Sequence, residues 1–492
     1  MILEALVVIA IVCVCYWYTS SPKYRIGNFP KPPGYFLIGH APYINSSEKL
    51  LPYLHKQLDK FDGLMQIHIG TEVMLTASNY KFVQWLMTST TIITKSLQYS
   101  FFNEWLGHAL LITSGSRWKS YRKILTPAFH FKRIENLISV CQKASDDLIK
   151  KMSNNLDKDC FDVYPIISNF SLDVLCESSM ATSINAQEEE SEYRSCIRTL
   201  CQIILERAMD PLYMHDLLFY FHPQYQNFQK SIKTIHEFDQ TVIEKRRKLL
   251  QNVHEKNDDD LENVYGKKKT PFLDILLKAR DEDGNPLSNK DIRDQVDGIM
   301  FAGHDTTASA ISFILYNLSV HPDVQEKVFN EQSEIYSKKT DAQITYADLV
   351  EMKYLEMVIK ESLRIHTPIP FFARKLEEDT YYDGKLIPKN TTILILLHHL
   401  HRNAEVFPDP EKFDPTRFDD NSKIPNFAFL PFSAGLRNCI GQRFAMLEIK
   451  VAVAELVRNF EFLPAPNYKP NVISEISLKS SNGICIRLKK RQ

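Results

Sequence analysis

The sequence has no cysteine pattern of the kind that metal-binding or disulfide-rich proteins carry. Its nine cysteines are an odd number, and no two of them form a Cys-x-x-Cys pair. Zinc and iron–sulfur sites of the usual spacings are therefore not indicated, and neither is a disulfide framework. The pattern is typical of reduced thiols in a cytosolic compartment, although one of them needs an explanation of its own.

The chain also lacks a large net charge of either sign. The formal net charge of the 492 residues is −1, so nothing global indicates a nucleic-acid partner. No Gly-x-Gly-x-x-Gly motif follows a predicted strand, and the chain therefore has no recognisable flavin or nicotinamide site. Hydrophobic residues make up 44% of the chain. They suffice for a large buried core, and no internal repeat divides it.

The N-terminal segment is strongly apolar. Residues 2–18 read ILEALVVIAIVCVCYWY, and as a helix they would span about 25 Å, enough for a thin bilayer. No basic residue precedes the run, whereas Lys23, Arg25 and Lys31 follow it. A cleaved signal peptide would have a basic start and a small-residue cleavage site. We therefore predict an uncleaved membrane anchor at residues 1–20, with the body in the cytosol.

Three prolines follow this apolar segment. Pro30, Pro32 and Pro33 lie close together, and proline fixes φ and cannot continue a helix. The sequence predicts a stiff, proline-rich hinge at residues 21–34 and a single globular body at residues 35–492.

The body has a mainly helical pattern. Short β-like runs occur at 64–77 and 391–397, so the predicted fold class is mainly α with a small β region. One long helix should begin at Ser288, where Asp291 completes a pattern close to a capping box, and should stop before Pro322. Its length of about 33 residues corresponds to roughly 50 Å, enough to cross the whole body.

The middle of this helix contains residues that favour helices poorly. Thr306 and Thr307 can donate hydrogen bonds back to the carbonyls of Ala302 and Gly303, which bends a helix. Gly303 would also let a flat ligand approach the backbone.

Residues 431–441 read PFSAGLRNCIG and place Cys439 in a turn before an apolar helix. A thiol at that position faces unpaired N–H groups and the positive end of the helix dipole, which lower its pKa. A thiolate is a strong donor to iron. Gly435 and Gly441 would admit a flat macrocycle, and Arg437 could pair with a propionate. A cysteine beside glycine alone would more often be structural, but the full F-x-x-G-x-R-x-C-x-G spacing is far more restrictive.

The chain resembles the cytochrome P450 family, and within it family 4, the fatty-acid ω-hydroxylases and their relatives. The resemblance covers essentially the whole chain. It is carried by residues 118–130 (WKSYRKILTPAFH), the central AGHDTT, residues 398–418 (HHLHRNAEVFPDPEKFDPTRF) and residues 431–448. It implies the cytochrome P450 fold, with haem between the long central helix and the cysteine helix.

The resemblance also implies roles for single residues. Cys439 would be the axial iron ligand, and Asp305 and Thr306 would be the acid–alcohol pair that supplies protons. Glu361 and Arg364 would form the Glu-x-x-Arg pair that locks with Arg417 to hold the haem-binding meander, a structural role. The remaining haem contacts that it implies come from Trp118, Arg122, Arg374, Phe432, Arg437 and Gly441.

The activity implied is that of a monooxygenase, which inserts one atom of O2 into a C–H bond of an apolar fatty acid, lipid hormone or xenobiotic. Its cofactor would be non-covalent haem b. Electrons from NADPH would arrive through NADPH–cytochrome P450 reductase, with cytochrome b5 as a further candidate donor, on the cytosolic face of the endoplasmic reticulum membrane. A basic docking face is predicted from Lys119, Lys123, Arg437 and Arg443.

Two other interpretations remain at this stage, a haem-thiolate peroxide isomerase and a non-catalytic haem sensor. The acid–alcohol pair disfavours both. The substrate pocket is predicted to be apolar, with residues 101, 102, 105, 106 and 369–372 as candidate lining, while residues 217–221 are either a second membrane contact or core. One position departs from family 4, whose members typically read E-G-H-D-T-T. Ala302 replaces the glutamate that can form an ester bond to haem.

Overall fold

The computed structural model describes residues 26–129, 131–156, 158–188, 192–254, 271–339 and 343–491, together with Val8, Ile11 and Val12. Apart from these last three residues, the predicted anchor at residues 1–20 lies outside the described part. Within the described ranges, no helix is both long and apolar enough to cross a bilayer.

Helices form most of the body, as the sequence predicts. In chain order they are α1 (Ser47–Lys60), α2 (Tyr80–Thr88), α3 (Asn103–Leu106), α4 (Gly115–Leu125), α5 (Phe131–Ser153), α6 (Tyr164–Ser179), α7 (Glu192–Met209), α8 (Asp216–Phe219), α9 (Tyr225–His254), α10 (Phe272–Lys278), α11 (Asn289–Val320), α12 (Pro322–Ser337), α13 (Tyr346–Glu351), α14 (Lys353–Ile365), α15 (Leu397–Leu400) and α16 (Gln442–Asn459). Short 3₁₀ turns link several of them, including Gly435–Arg437.

The strands are short, in line with the predicted small β region. They are β1 (Leu64–Ile69), β2 (Glu72–Ala77), β3 (Phe161–Asp162), β4 (Phe371–Lys375), β5 (Thr380–Tyr382), β6 (Lys385–Ile387), β7 (Thr392–Leu396), β8 (Phe460–Pro464), β9 (Val472–Ser474), β10 (Leu478–Ser480) and β11 (Cys485–Lys490). The largest sheet in the described part has the order β1-β2-β7-β4, in which only β2 and β7 run parallel. A second sheet has the order β3-β11-β8, and β9 and β10 form a hairpin.

The long helix α11 forms as predicted. The Ser288 side chain accepts the N–H of Asp291 at 3.0 Å, which caps the helix, and α11 ends two residues before Pro322. The helix packs against α6, α9, α16 and β8. Most of its side chains are therefore buried, and its middle lies inside the core.

The described part of the predicted hinge is attached to the β region. Gly27 donates its N–H to the carbonyl of Leu386 at 2.7 Å, and the carbonyl of Pro30 accepts a hydrogen bond from β1. Phe29 is only 4% exposed. These contacts fix the direction in which the chain enters the body.

Candidate functional site

A cavity of about 430 Å³ is lined by α11 and by the loop that carries Cys439. Most of its lining is apolar. The structure brings all nine of the predicted cofactor and catalytic residues to this one cavity, namely Trp118, Arg122, Asp305, Thr306, Arg374, Phe432, Arg437, Cys439 and Gly441.

Cys439 lies in the turn immediately before α16. Its N–H donates to the carbonyl of Phe432 at 2.9 Å, and its side chain is accessible from the cavity. Burial raises the pKa of the Cys439 thiol, while the N–H of Gly441 and the guanidinium of Arg122 lower it. The turn lowers the pKa of the thiol as the sequence predicts, but burial raises this pKa by more.

Two glycines have packing reasons that the sequence did not indicate. A Cβ on Gly303 would lie 2.9 Å from the side chain of Leu175, so the missing side chain lets α11 pack closely on α6. Gly435 has a φ of +66°, and a Cβ there would lie 2.5 Å from the carbonyl oxygen of Met87. Neither glycine therefore needs a flat ligand to explain it.

A group of basic side chains lines the cavity. Burial and the neighbouring Arg374 lower the pKa of Arg437 to about 9, and burial together with these two arginines lowers the pKa of Lys95. Arg122 is the fourth member. Among the described residues, no ion pair joins any of the four to a carboxylate. Arg374 is buried and the other three are half-buried. Cations withdrawn from water without a counter-charge are costly, so the group is suited to an anionic ligand.

Oxygen atoms of the protein around the cavity hold two of these cations. Arg122 donates to the carbonyl and side-chain oxygens of Asn438 at 2.9 and 2.7 Å, which ties α4 to the cysteine turn. Arg437 donates to the carbonyl of Ile93 at 3.1 Å and stacks over the Trp118 ring at 4.2 Å. Because Arg437 is directed into the protein, it is not available as the surface docking residue predicted from the sequence.

Lys95 lines the cavity although no sequence pattern predicts this. It stands alone in the stretch TIITKSLQ, which has no recognisable spacing. Its cavity position becomes evident only in the fold, where it also lies 4.1 Å from the centre of the Tyr99 ring.

The two threonines of α11 bond as predicted. Thr306 Oγ1 donates to the carbonyl of Ala302 at 2.8 Å, and Thr307 Oγ1 donates to that of Gly303 at 2.9 Å. Asp305 is buried and forms an ion pair with Lys479 at 2.5 Å. Burial alone would raise the pKa of Asp305, but Lys479 and the other groups around the carboxylate, with Lys479 foremost, together outweigh burial and hold this pKa well below its usual range.

The predicted substrate-pocket residues divide into two groups. Phe102, Ile369, Phe371 and Phe372 line the cavity. The other four, which belong to the protein packing outside the lining, are Phe101, Trp105, Leu106 and Pro370. Further apolar lining that was not predicted comes from Leu110, Leu111, Ile112, Leu205 and Met209.

Comparison with known proteins agrees with this arrangement. Residues 30–486 match the family model described as Cytochrome P450. The chain is 37% identical to the probable cytochrome P450 4s3 of Drosophila melanogaster, over 90% of this chain and 88% of that protein. It is 35% identical to cytochrome P450 4c21 of Blattella germanica, over 93% and 92%, and 36% identical to cytochrome P450 4V2 of Rattus norvegicus, over 93% and 88%. The chain belongs to the cytochrome P450 family. These relatives are all in family 4, which confirms the resemblance.

Membership of the cytochrome P450 family implies a haem cofactor with iron, a redox partner, an apolar substrate and haem-thiolate monooxygenase chemistry. The residues present fit a haem. The Cys439 thiol opens into the cavity, and a Cβ on Gly441 would meet only the Cys439 Sγ, at 4.0 Å. A bare backbone thus leaves room beside the thiol, and the unpaired cations match the carboxylates at one edge of a haem.

Proposed function

We propose that this P450 binds haem b non-covalently through Cys439 and inserts one atom of O2 into a C–H bond of an apolar small molecule. When bound, the haem supplies the oxygen activation, to which the thiolate ligand contributes electron density. The observation that carries the proposal is a single cavity lined by a thiol, by unpaired cations and by an acid and an alcohol on α11.

The side chains around the cavity divide into three proposed roles. Arg122, Arg374 and Arg437 are assigned to bind the haem propionates. The Trp118 ring stacks on Arg437 and supports it. Phe432 packs beside the thiol turn, and Gly441 leaves space there. The apolar lining excludes water and binds the substrate chain or ring.

Proton delivery is assigned to Asp305 and Thr306. The Thr306 hydroxyl donates to the helix backbone, which leaves its oxygen free to accept a hydrogen bond from water in the cavity. Asp305 is the adjacent acid and also lines the cavity. This pair favours a monooxygenase over the peroxide isomerase or the haem sensor, because neither alternative requires a proton supply.

The electron donor is proposed to be NADPH–cytochrome P450 reductase, with cytochrome b5 using the same face. Lys119 and Lys123 on α4 and Arg443 on α16 are exposed, and they are suited to an acidic partner. Reversing Lys119 and Lys123 to glutamate should raise the reductase concentration needed for half-maximal turnover. Lys230→Glu, an exposed change on α9, serves as the control, and equal effects would contradict the proposed docking face.

A second membrane contact is proposed beside the N-terminal anchor and hinge, on the endoplasmic reticulum. Leu217 and Phe221 are 73% and 77% exposed, whereas Phe219 between them is core. Tyr35 and Phe36 are also exposed, and Gly70 at the β1–β2 turn approaches Pro211. An apolar surface of this kind marks an interaction site.

This membrane contact can be tested by accessibility. In vesicles, Phe221→Cys should be protected from a water-soluble thiol reagent, whereas Cys at the exposed Tyr381, introduced as Tyr381→Cys, should react. Equal reactivity at both positions would contradict the contact.

The central proposal is tested at Cys439. Cys439→Ser should abolish the thiolate-type spectrum of the reduced carbon monoxide complex, and NADPH-dependent product formation with it. Cys485→Ser, a half-buried thiol on β11, should preserve both. A thiolate-type spectrum in Cys439→Ser would overturn the assignment.

A further inference from the structure

Asp305 is held by three side chains from distant parts of the chain. Its Oδ1 accepts hydrogen bonds from Lys479 Nζ at 2.5 Å and from the Tyr164 hydroxyl at 2.7 Å. Its Oδ2 accepts one from the Ser477 hydroxyl at 2.5 Å. The Lys479 ammonium also lies 4.0 Å from the centre of the Tyr164 ring. The acid of α11 is therefore fixed by the β9–β10 region and by the first residue of α6.

The same region connects Asp305 to the cavity and to the surface. Ser477 lines the cavity together with Asp305. On the other side, the buried Glu475 forms an ion pair with Arg198 at 3.3 Å, and the Arg198 side chain is 55% exposed. Polar groups thus extend from the cavity through Ser477, Asp305 and Lys479 to the neighbourhood of Glu475 and Arg198.

The ion pair determines whether the acid is charged. Transfer of a carboxyl into the interior favours its neutral form, and one buried ammonium in contact can reverse that preference. Lys479 is buried, and its hydrogen bond to Asp305 lies in the interior. Without Lys479, Asp305 would keep only neutral donors, the hydroxyls of Tyr164 and Ser477.

We propose that Lys479 is a positioning residue for the proton-delivering acid, and that it sets both the ionisation and the orientation of Asp305 from the β9–β10 hairpin. Ser477 is the hydroxyl through which this carboxylate faces the cavity. The inference rests on the proposed function, in which Asp305 supplies protons, and it extends that function to two residues near the C-terminus that no sequence motif identifies.

The other titratable groups near Asp305 come from several elements. His304 on α11 is buried, and burial lowers the pKa of its imidazole, so it stays neutral near pH 7. The remaining groups that face the acid or its partner are Tyr164 of α6, Arg194, Arg198 and Cys201 of α7, and Glu475 before β10. Burial raises the pKa of Cys201 and of Glu475. Of the groups named here, Tyr164 contacts the carboxylate through a neutral hydrogen bond, whereas Lys479 forms the ion pair with it.

The test compares Lys479→Met, Lys479→Arg and Lys489→Met in the haem-loaded protein. Lys489 on β11 is exposed and pairs with Glu461, so it controls for loss of a nearby lysine. In Lys479→Met, an infrared titration should reveal one protonated buried carboxyl in the range of pH 6–8 in addition to any that the wild type shows, such as that of Glu448. The band should disappear when Asp305→Asn is added. Lys479→Arg should behave as the wild type.

Turnover provides the second measurement. The product formed per NADPH should fall by about tenfold in Lys479→Met and become dependent on pH, a part of the roughly 10²–10⁴-fold effect of a positioned proton donor. Lys479→Arg keeps the positive charge and should retain both the yield and the flat pH profile of the wild type. If Lys479 had only a structural role, its replacement would not make the yield depend on pH. Ser477→Ala should lower the yield without producing the infrared band.

The outcomes separate the two proposals. An unchanged carboxyl titration in correctly folded Lys479→Met, or a pH profile equal to that of Lys489→Met, would overturn the role of Lys479. Unchanged yield in Ser477→Ala would overturn the role of Ser477. If wild-type protein formed no product with NADPH and reductase, the proposed function would fail. The infrared titration would still decide whether Lys479 ionises Asp305.

Discussion

Glu361 and Arg364 on α14 form a two-pronged ion pair in which neither side chain has any solvent exposure. The Nε–Oε2 and Nη2–Oε1 distances are 2.7 and 2.8 Å. Arg364 also donates to the carbonyls of His401 and Lys412, and Arg417 approaches Glu361 at 3.4 Å. The pair therefore fixes the chain segment that leads to the cysteine turn, which confirms the structural role implied by the family.

Breaking this pair should prevent stable folding. Glu361→Gln leaves Arg364 buried without its counter-charge, which costs about 3–5 kcal/mol. We expect a large fall in the midpoint of thermal unfolding and little haem-containing protein. Asp147→Asn is the control, because Asp147 and Lys150 have the same three-residue spacing but are exposed, and such pairs contribute at most about 1 kcal/mol. Similar shifts in the two variants would show that burial of the pair is unimportant.

A buried carboxyl on α16 should make stability fall as pH rises. Burial raises the pKa of Glu448 to about 8, while a hydrogen bond from Ser171 lowers it. Between pH 4.5, the usual pKa, and pH 8, Glu448 keeps its proton when folded and loses it when unfolded. Unfolding then releases a proton, so stability decreases with pH by up to about 1.4 kcal/mol per unit.

Glu448→Gln tests this dependence. The amide does not titrate, so the variant should lose less stability than the wild type between pH 5 and pH 8, as measured by the midpoint of thermal unfolding. Parallel curves for the two proteins would contradict the raised pKa.

Local features of the site could be predicted from the sequence. The Ser288 cap and the bonds that Thr306 and Thr307 make to α11 involve neighbours within four residues. Such interactions depend on spacing along one helix, which the sequence contains directly. The turn around Cys439 is similarly local, and for this reason its motif was informative.

Contacts between distant segments could not be predicted in this way. Lys479 and Tyr164 are 174 and 141 residues from Asp305 in the sequence. Phe101 and Phe102 are adjacent, yet one is core and the other lines the cavity. Which face of a short turn is buried depends on the elements that pack against it. Composition and periodicity do not contain that information.

Removal of the Thr306 hydroxyl should uncouple NADPH consumption from product formation. Thr306→Ala deletes the side-chain oxygen that lines the cavity, so less product and more hydrogen peroxide should form per NADPH, with a normal reduced carbon monoxide spectrum. Thr307→Ala removes the same type of back-bond, and Thr307 also borders the cavity, but this residue is only 2% exposed whereas Thr306 is half-buried. The product formed per NADPH should therefore change less in Thr307→Ala than in Thr306→Ala. Unchanged coupling in Thr306→Ala would assign the proton supply to another group.

The four N-x-S/T sequons should carry no glycan if the body faces the cytosol. They begin at Asn45, Asn169, Asn317 and Asn390. Asn317 is buried and bonded to Ser362, which would block a glycan in the folded protein, whereas Asn45 and Asn390 are exposed. A mass shift of the native protein on glycosidase treatment would contradict the cytosolic orientation, and Asn45 and Asn390 would be the first sites to examine.

The absence of a carboxylate at position 302 should leave the haem extractable. Ala302 is half-buried on α11 and lines the cavity, at the position where family 4 typically has the ester-forming glutamate. Alanine cannot form an ester, so acid and organic solvent should release all haem from the wild-type protein. Haem that stayed with wild-type protein after this treatment would mean that the position or its chemistry has been misassigned.

Ala302→Glu should gain covalently bound haem during turnover, whereas Ala302→Gln, of nearly equal size but without a carboxylate, should not. The two variants separate the effect of the bond from that of added volume in the cavity. A bond to α11 would restrain the haem against the wall that binds substrate, and a restrained pocket should favour attack at the end of a chain. We therefore expect the ratio of terminal to internal hydroxylation of a fatty acid to rise in Ala302→Glu above the ratio in Ala302→Gln. Equal ratios, despite haem retained only by the glutamate variant, would show that the bond does not direct the position of attack.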